Sequence, residues 1–470
     1  MISNILFAVV SVVLCVIAPG KYDYNFCLTV MVLFLVQNIL YFCLNRRKSN
    51  VGFVLFFFIS YLFCNFIYPV VYYPVRPGVS FFSLYFNTDV ISRSTAIAYM
   101  GYAFFLLGCT SFFRMNREEP TPAVFKFGMN EFLWFFLVTA GAFVLYIASG
   151  GYHALHDVYA NHENLRAVGI YSYFNNIFTI ACYLMGIFVF RLPRQKWWFY
   201  LLVLGTCILI ILSTGSRSLT LGMVLVLLVS FNNNVRRFKP IEIAAVVAVG
   251  VIGLYIVMMT RKHGMSIEKT EYALTHMRVR EVTDLFLDLI INNRNLYVLV
   301  DYADQHGLTW LHGMLVDLTS PIPGMAGWLT QHFGEPIELL HGGDLPSYIT
   351  LGPNAGWGLG TNMTGEAFRS FGYTGTAVSM FLIGLIVKES YYHARTNIYA
   401  YTLYYLFVSH AVMYPRAPLL FDPRTVVWGL LLVWFVTDVR TWRLPRRTDS
   451  GGAQSEQAPD SEQPNEEIPA

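Results

Sequence analysis

Thr214-Gly215-Ser216-Arg217-Ser218 sets an arginine among hydroxyls between two apolar runs. A guanidinium there can bind phosphate through two oxygens at once and stays charged. Gly215 permits the tight turn such a short connection needs. The competing reading is an interfacial arginine whose stem lies along lipid. Arg261-Lys262-His263-Gly264 forms a second cationic cluster at the end of an apolar run. Arg278, Arg280 and Arg294 lie among Glu281, Asp284 and Asp288 in an amphipathic stretch from Tyr272 to Asp304. They read either as i,i+4 pairs on a solvated helix face or as contacts to an anionic substrate. Glu366 stands just before an apolar run, where a carboxylate is often functional or is a helix N-terminal charge favoured by the macrodipole. His410, Arg416 and Arg424 bring further polar groups to the ends of the last two apolar runs. The histidine reads either as a hydrogen-bonded packing residue or as a catalyst.

These residues are carried by a chain of 470 residues that is 55% hydrophobic and only 13% charged. Soluble domains run near about 25% charged, so repeated apolar runs of about 17–23 residues mean a polytopic membrane protein. About twelve spans are read, near 3–18, 24–44, 51–73, 94–113, 131–149, 170–190, 197–213, 218–231, 241–260, 373–389, 398–413 and 423–439. The first lacks a basic leader and a small-residue cleavage site, so it reads as a span and not as a signal peptide. Of the 32 Lys and Arg, eighteen fall in one set of loops and seven in the opposite set, which puts both termini in the cytoplasm. The remaining seven lie in the long insert between Thr260 and Tyr373, which is therefore expected outside, in the periplasm of a Gram-negative cell.

The expected division is residues 1–260 with the first nine spans, 261–372 as a large periplasmic loop, 373–439 with the last three spans, and 440–470 as a disordered acidic cytoplasmic tail. Within the loop, Ser320 to Gly375 is rich in Gly, Pro and aromatic residues and reads as irregular backbone. The seven cysteines all lie in apolar runs, so no disulfide framework and no cysteine metal site is expected. The first outer loop holds only Asp23, with no D-x-D, and no HExxH, P-loop or GxSxG motif occurs.

The order and placement of several short motifs resemble the Wzy-type polymerases of O-antigen and related oligosaccharide repeat units. They are Thr214 to Ser218 at a short outer turn, Arg261-Lys262-His263-Gly264, His306-Gly307-Leu308-Thr309, Pro321-Ile322-Pro323, Gly360-Thr361-Asn362 through Glu366 to Gly375, and Arg416. The resemblance covers roughly residues 200 to 430 and the overall layout.

It implies an all-α, GT-C-like, metal-independent glycosyltransferase without a cofactor. Such an enzyme joins undecaprenyl-diphosphate-linked repeat units at the outer face of the inner membrane, downstream of a flippase and usually with a chain-length regulator. The candidate bases for the acceptor hydroxyl are then Glu366 and His410. Arg217, Arg261, Arg278, Arg280, Arg294, Arg416 and Arg424 are the candidates for neutralising the diphosphate. Two rivals stay open. An O-antigen ligase would share fold and arginines. A lipid-linked oligosaccharide flippase, a transporter, should show internal repeats and short loops throughout. A membrane acyltransferase would want a histidine with acidic partners, for which no clear set is seen.

Overall fold

The computed structural model describes residues 2–44, 51–75, 86–111, 125, 127–151, 170–213, 217–239, 241–242, 289–353, 358–420 and 422–439. The ninth predicted span from residue 243 on, Arg261, Arg278, Arg280 and the acidic tail lie outside the described residues. Among the described residues the regular structure is helical, and no strand occurs.

The long helices are α1 (Ile2–Ile17), α2 (Tyr24–Leu44), α3 (Phe53–Asn65), α4 (Ile91–Thr110), α5 (Met129–Tyr146), α6 (Ile170–Phe188), α7 (Trp197–Ser213), α8 (Arg217–Asn234), α9 (Asn292–His306), α10 (Met363–His393), α11 (Ile398–His410) and α12 (Pro423–Trp434). Among the described residues six helical stretches are long and apolar enough to cross a membrane, while α1, α3, α8 and α12 are apolar but shorter. At about 1.5 Å rise per residue, roughly 20 residues are needed for a 30 Å hydrocarbon layer. The chain is thus an all-helical polytopic membrane protein.

Short side chains start several of these helices by accepting from otherwise unpaired N–H groups. Asp23 accepts from Phe26 N ahead of α2, Asn362 from Thr364 N and Gly365 N, Asn397 from Tyr399 N, and Asp422 from Thr425 N. Asp23, the lone acid between α1 and α2, is therefore a helix cap.

The core is built around α4 and α10, and most of α4 is buried. They approach closely at two glycines. A Cβ on Gly108 would overlap the Phe381 carbonyl and lie 2.9 Å from Leu385 N, and one on Gly384 would overlap the Phe105 carbonyl. Between helices in lipid there is little hydrophobic drive, so close backbone packing of this kind holds the pair together. Around α4, the rings of Phe34, Phe57, Tyr61, Tyr102 and Phe105 meet at tilted or edge-to-face angles. The Tyr61 hydroxyl donates to Ala98 O and pairs with Thr364 at the start of α10.

The Gly- and Pro-rich segment is more ordered than its composition predicts. It holds short helices at Met325–Phe333, Ile337–Leu340 and Leu345–Leu351, following one at Leu315–Thr319. Gly324, Gly334 and Gly352 take positive φ of 80°, 68° and 82° at their ends, so these glycines punctuate helices and do not dissolve them. The second half of the predicted amphipathic stretch also differs. It forms α9, whose first nine residues are buried, and so it is no solvated face.

Candidate active site

Three Asn residues at the start of α9 fix the approach to α10. Asn292 donates to Thr361 O at 2.7 Å, Asn295 to Leu359 O at 2.9 Å, and Asn293 to Phe63 O at 2.9 Å. Asn362 then donates to Asn65 and Asn292 while capping α10. Asn65, Asn292, Asn293, Asn295 and Asn362 are all essentially sealed from solvent. These buried amides donate to the backbone at 359–361 and to one another, and so hold residues 359–366 in place, while the Oδ1 atoms of Asn293 and Asn295 have no partner among the described residues.

One turn into α10 stands Glu366, fully buried beside an equally buried Arg369. Glu366 Oε2 accepts from Leu419 N at 2.5 Å. Its Oε1 lies 4.0 Å from Arg369 Nη2, beyond hydrogen-bond reach, and has no hydrogen-bond partner among the described residues. Arg369 Nη2 donates to Gly313 O at 2.9 Å, while its Nε and Nη1 are also without partners among the described residues. Buried polar atoms are normally paired, and each one left unmade costs about 1–3 kcal/mol, more when charged. The pair is therefore poised to accept a further polar group, one that donates to Oε1 and accepts from the guanidinium.

The helix backbone breaks right after this pair, at Gly372 with φ 67° and ψ −160°. The carbonyls of Arg369 and Ser370 accept from Thr309 N and Trp310 N at 3.1 and 2.9 Å. The insert thus supplies the donors that end the half-helix.

A turn of the insert covers the carboxylate. His341 bonds Asp317 through Nε2 at 3.0 Å and Asp344 through Nδ1 at 2.9 Å, and Asp317 also accepts from Gly342 N. This clasp holds Gly342 against Glu366: a Cβ there would overlap Oε1 and lie 2.9 Å from Oε2. Burial opposes a charge on His341, but the hydrogen bonds to Asp317 and Asp344 outweigh it and push its pKa from 6.5 up to about 10. A folded-state pKa raised above the unfolded one stabilises fully below 6.5, and that contribution fades as pH rises through about 10. The melting temperature of the purified protein is expected to fall over that window, and to fall less in His341→Gln. Equal pH dependence of the two proteins would remove the clasp as a stabilising element.

The other predicted site residues divide. Arg416 joins Glu366. It lies on the turn that includes Leu419, its carbonyl accepts from Thr361 N, and its guanidinium approaches Gly360, whose Cβ would be 3.7 Å from Nη2. Arg424 donates from Nε to Ser320 O at 3.0 Å, at the far end of the same loop. His410 is elsewhere. Its Nδ1 meets Ser409 Oγ at 2.7 Å and its ring packs on Tyr183, whose hydroxyl donates to Leu219 O near the start of α8. Neither its described bonds nor those of Glu366 join the two residues. Arg294 is buried at 1% exposure and bonds Thr350 Oγ1, so it braces the insert. Burial lowers its pKa to about 10, which leaves it charged at neutral pH. Arg217 opens α8, and its side chain lies outside the described residues, as do Arg261, Arg278 and Arg280.

Asp317, His341, Gly342 and Arg369 were not singled out from the sequence. The run Asn292-Asn293-Arg294-Asn295 among apolar neighbours was the available signal for the polar anchor.

Fold and site together define a polytopic membrane protein with a buried acid–base pair at the start of a broken helix, covered by a loop. The family model described as O-antigen polysaccharide polymerase Wzy matches residues 1–442, and the chain belongs to that family. It is accordingly a multi-pass inner-membrane polymerase of glycosyltransferase type that acts on lipid-linked oligosaccharide repeat units in polysaccharide biosynthesis. No curated protein and no solved structure matches the chain.

Proposed function

We propose that the chain elongates O-antigen-type glycan on undecaprenyl diphosphate at the outer membrane face, by GT-C-type transfer without a metal, with Glu366 as the base. The supporting observation is the buried Glu366–Arg369 pair with unmade hydrogen bonds on both sides. The acceptor hydroxyl donates to Glu366 Oε1, and the carboxylate takes its proton as the oxygen attacks the anomeric carbon. The bond from that carbon to the diphosphate breaks, and the electron pair leaves on a phosphate oxygen. Arg416 and Arg424, with Arg217, Arg261, Arg278 and Arg280, neutralise that charge. Arg294, bonded to Thr350, holds the insert in this reading.

The reading keeps about twelve spans, both termini inside and residues 261–372 outside as the large loop. The division into 1–260, 261–372, 373–439 and a 440–470 tail goes with it, as does a chain-length regulator as partner.

The test is lipopolysaccharide from a deletion strain complemented with variants. Deletion is expected to leave single repeat units on the core, whereas loss of all O-antigen would point to a ligase or a flippase. Arg217→Ala is expected to reduce polymer about ten- to hundredfold, from loss of a charged hydrogen bond of about 1.5–3 kcal/mol. Wild-type ladders from that variant at normal protein level would return Arg217 to an interfacial anchor.

A further inference from the structure

An apolar groove of about 510 Å³ runs between α6 and α12, lined by Tyr173, Ile177, Trp428, Leu431 and Phe435 and closed at one end by Pro323. That volume is in the range of small-ligand sites, roughly 300–1,000 Å³. Its α12 wall is open on the side away from the core, where Leu431 and Phe435 are each 52% exposed. The closed end is a built structure. Trp428 Nε1 donates to Pro321 O at 3.0 Å, Gly324 N donates to the Tyr173 hydroxyl at 3.2 Å, and Arg424 Nε donates to Ser320 O at 3.0 Å.

Arg424, Trp428 and Leu431 on α12 and Phe435 just past its end follow one another at spacings of four, three and four, and so share one face. That face carries a cation at the insert end and apolar surface below it. Among the described residues only the Nε of Arg424 is engaged, and its two terminal nitrogens remain as donors. This is the charge and shape complement of a single long hydrocarbon chain with an anionic head.

We propose that the groove seats the polyprenyl chain of the lipid-linked substrate, with its phosphate at Arg424. The proposal rests on the reading of the chain as a polymerase of lipid-linked units and adds where the lipid lies. Lipid tails are as apolar as the groove, so occupancy gains little from burial alone. Affinity comes from the phosphate on Arg424, and the groove supplies direction. It points the tail away from the insert and the head toward the loop that holds Arg416 and Leu419 beside Glu366.

The test uses the full chain purified in detergent, with retention of a long polyprenyl phosphate measured by native mass spectrometry. Phosphatidylglycerol and the uncharged polyprenol serve as comparison probes. Wild-type protein is expected to retain polyprenyl phosphate over both. Arg424→Gln is expected to weaken retention by about tenfold or more. Leu431→Trp and Ile177→Trp, which fill the groove from opposite walls, are each expected to weaken it with the melting profile unchanged. Unaltered binding by both filled variants overturns the proposal. Equal retention of phosphatidylglycerol also overturns it, making the groove a seat for membrane lipid. Binding is read without turnover, so polymer synthesis in the same preparation reports on the polymerase reading separately.

Discussion

Glu366→Gln is expected to lower polymer synthesis by about 10²–10⁴-fold, the usual contribution of a positioned base. Glutamine keeps the volume and can still accept from Leu419 N, but it cannot take a proton from a sugar hydroxyl. It also leaves Arg369 without the counter-charge that lies 4.0 Å away. Breaking one side of a buried ion pair costs about 3–5 kcal/mol, whereas replacing both sides by apolar groups is often neutral. The two roles of Glu366 are therefore separable. Glu366→Gln should lose both stability and activity. The double variant Glu366→Leu, Arg369→Met should regain most of the stability and none of the activity. The measurements are the O-antigen ladder, membrane protein level and a detergent melting curve for each variant. A double variant that restores polymer along with stability would make the pair a structural element and remove Glu366 as the base.

What the sequence made legible follows from how far each signal reaches along the chain. Apolar runs and their caps are local, so the helices from Tyr24–Leu44 to Trp197–Ser213 begin and end close to where composition places them, except that α3 stops at Asn65, well short of residue 73. Glu366 was visible because a carboxylate beside an apolar run is unusual in its own neighbourhood. Its partners were not, because Asp317, His341 and Gly342 reach it only through the fold of the insert. Arg369 sits three residues away, yet in sequence it reads as one more basic residue of an outer loop. Arg294 shows the opposite failure. It lies among acids at helical spacing, which argues for a solvated face, but the three neighbouring asparagines bind backbone of α3 and the loop before α10 and draw it inside. Hydrophobic periodicity does not register burial that is compensated by amide hydrogen bonds.

The placement of Gly342 gives the second large effect. Gly342→Ala is expected to abolish polymer synthesis although glycine offers no functional group. Its φ is not in the left-handed region, so alanine is not excluded by the backbone. The obstacle is steric. The new methyl would overlap Glu366 Oε1, whose other oxygen is held by Leu419 N, while the turn itself is held by His341 and Asp317. Neither side can give cheaply, and an overpacked methyl in such a place costs about 1–3 kcal/mol. Either the carboxylate rotates off Leu419 or the clasp opens, and both move the base. Gly327→Ala is the control. It lies within Met325–Phe333 of the same insert with nothing within 4 Å of its Cβ, and is expected to be neutral or stabilising by up to about 1 kcal/mol. Ladders and melting curves for the two alanines decide the matter. Wild-type polymer from Gly342→Ala would mean that the turn does not lie on Glu366 in the working enzyme. The cover would then have to be assigned to another state of the insert.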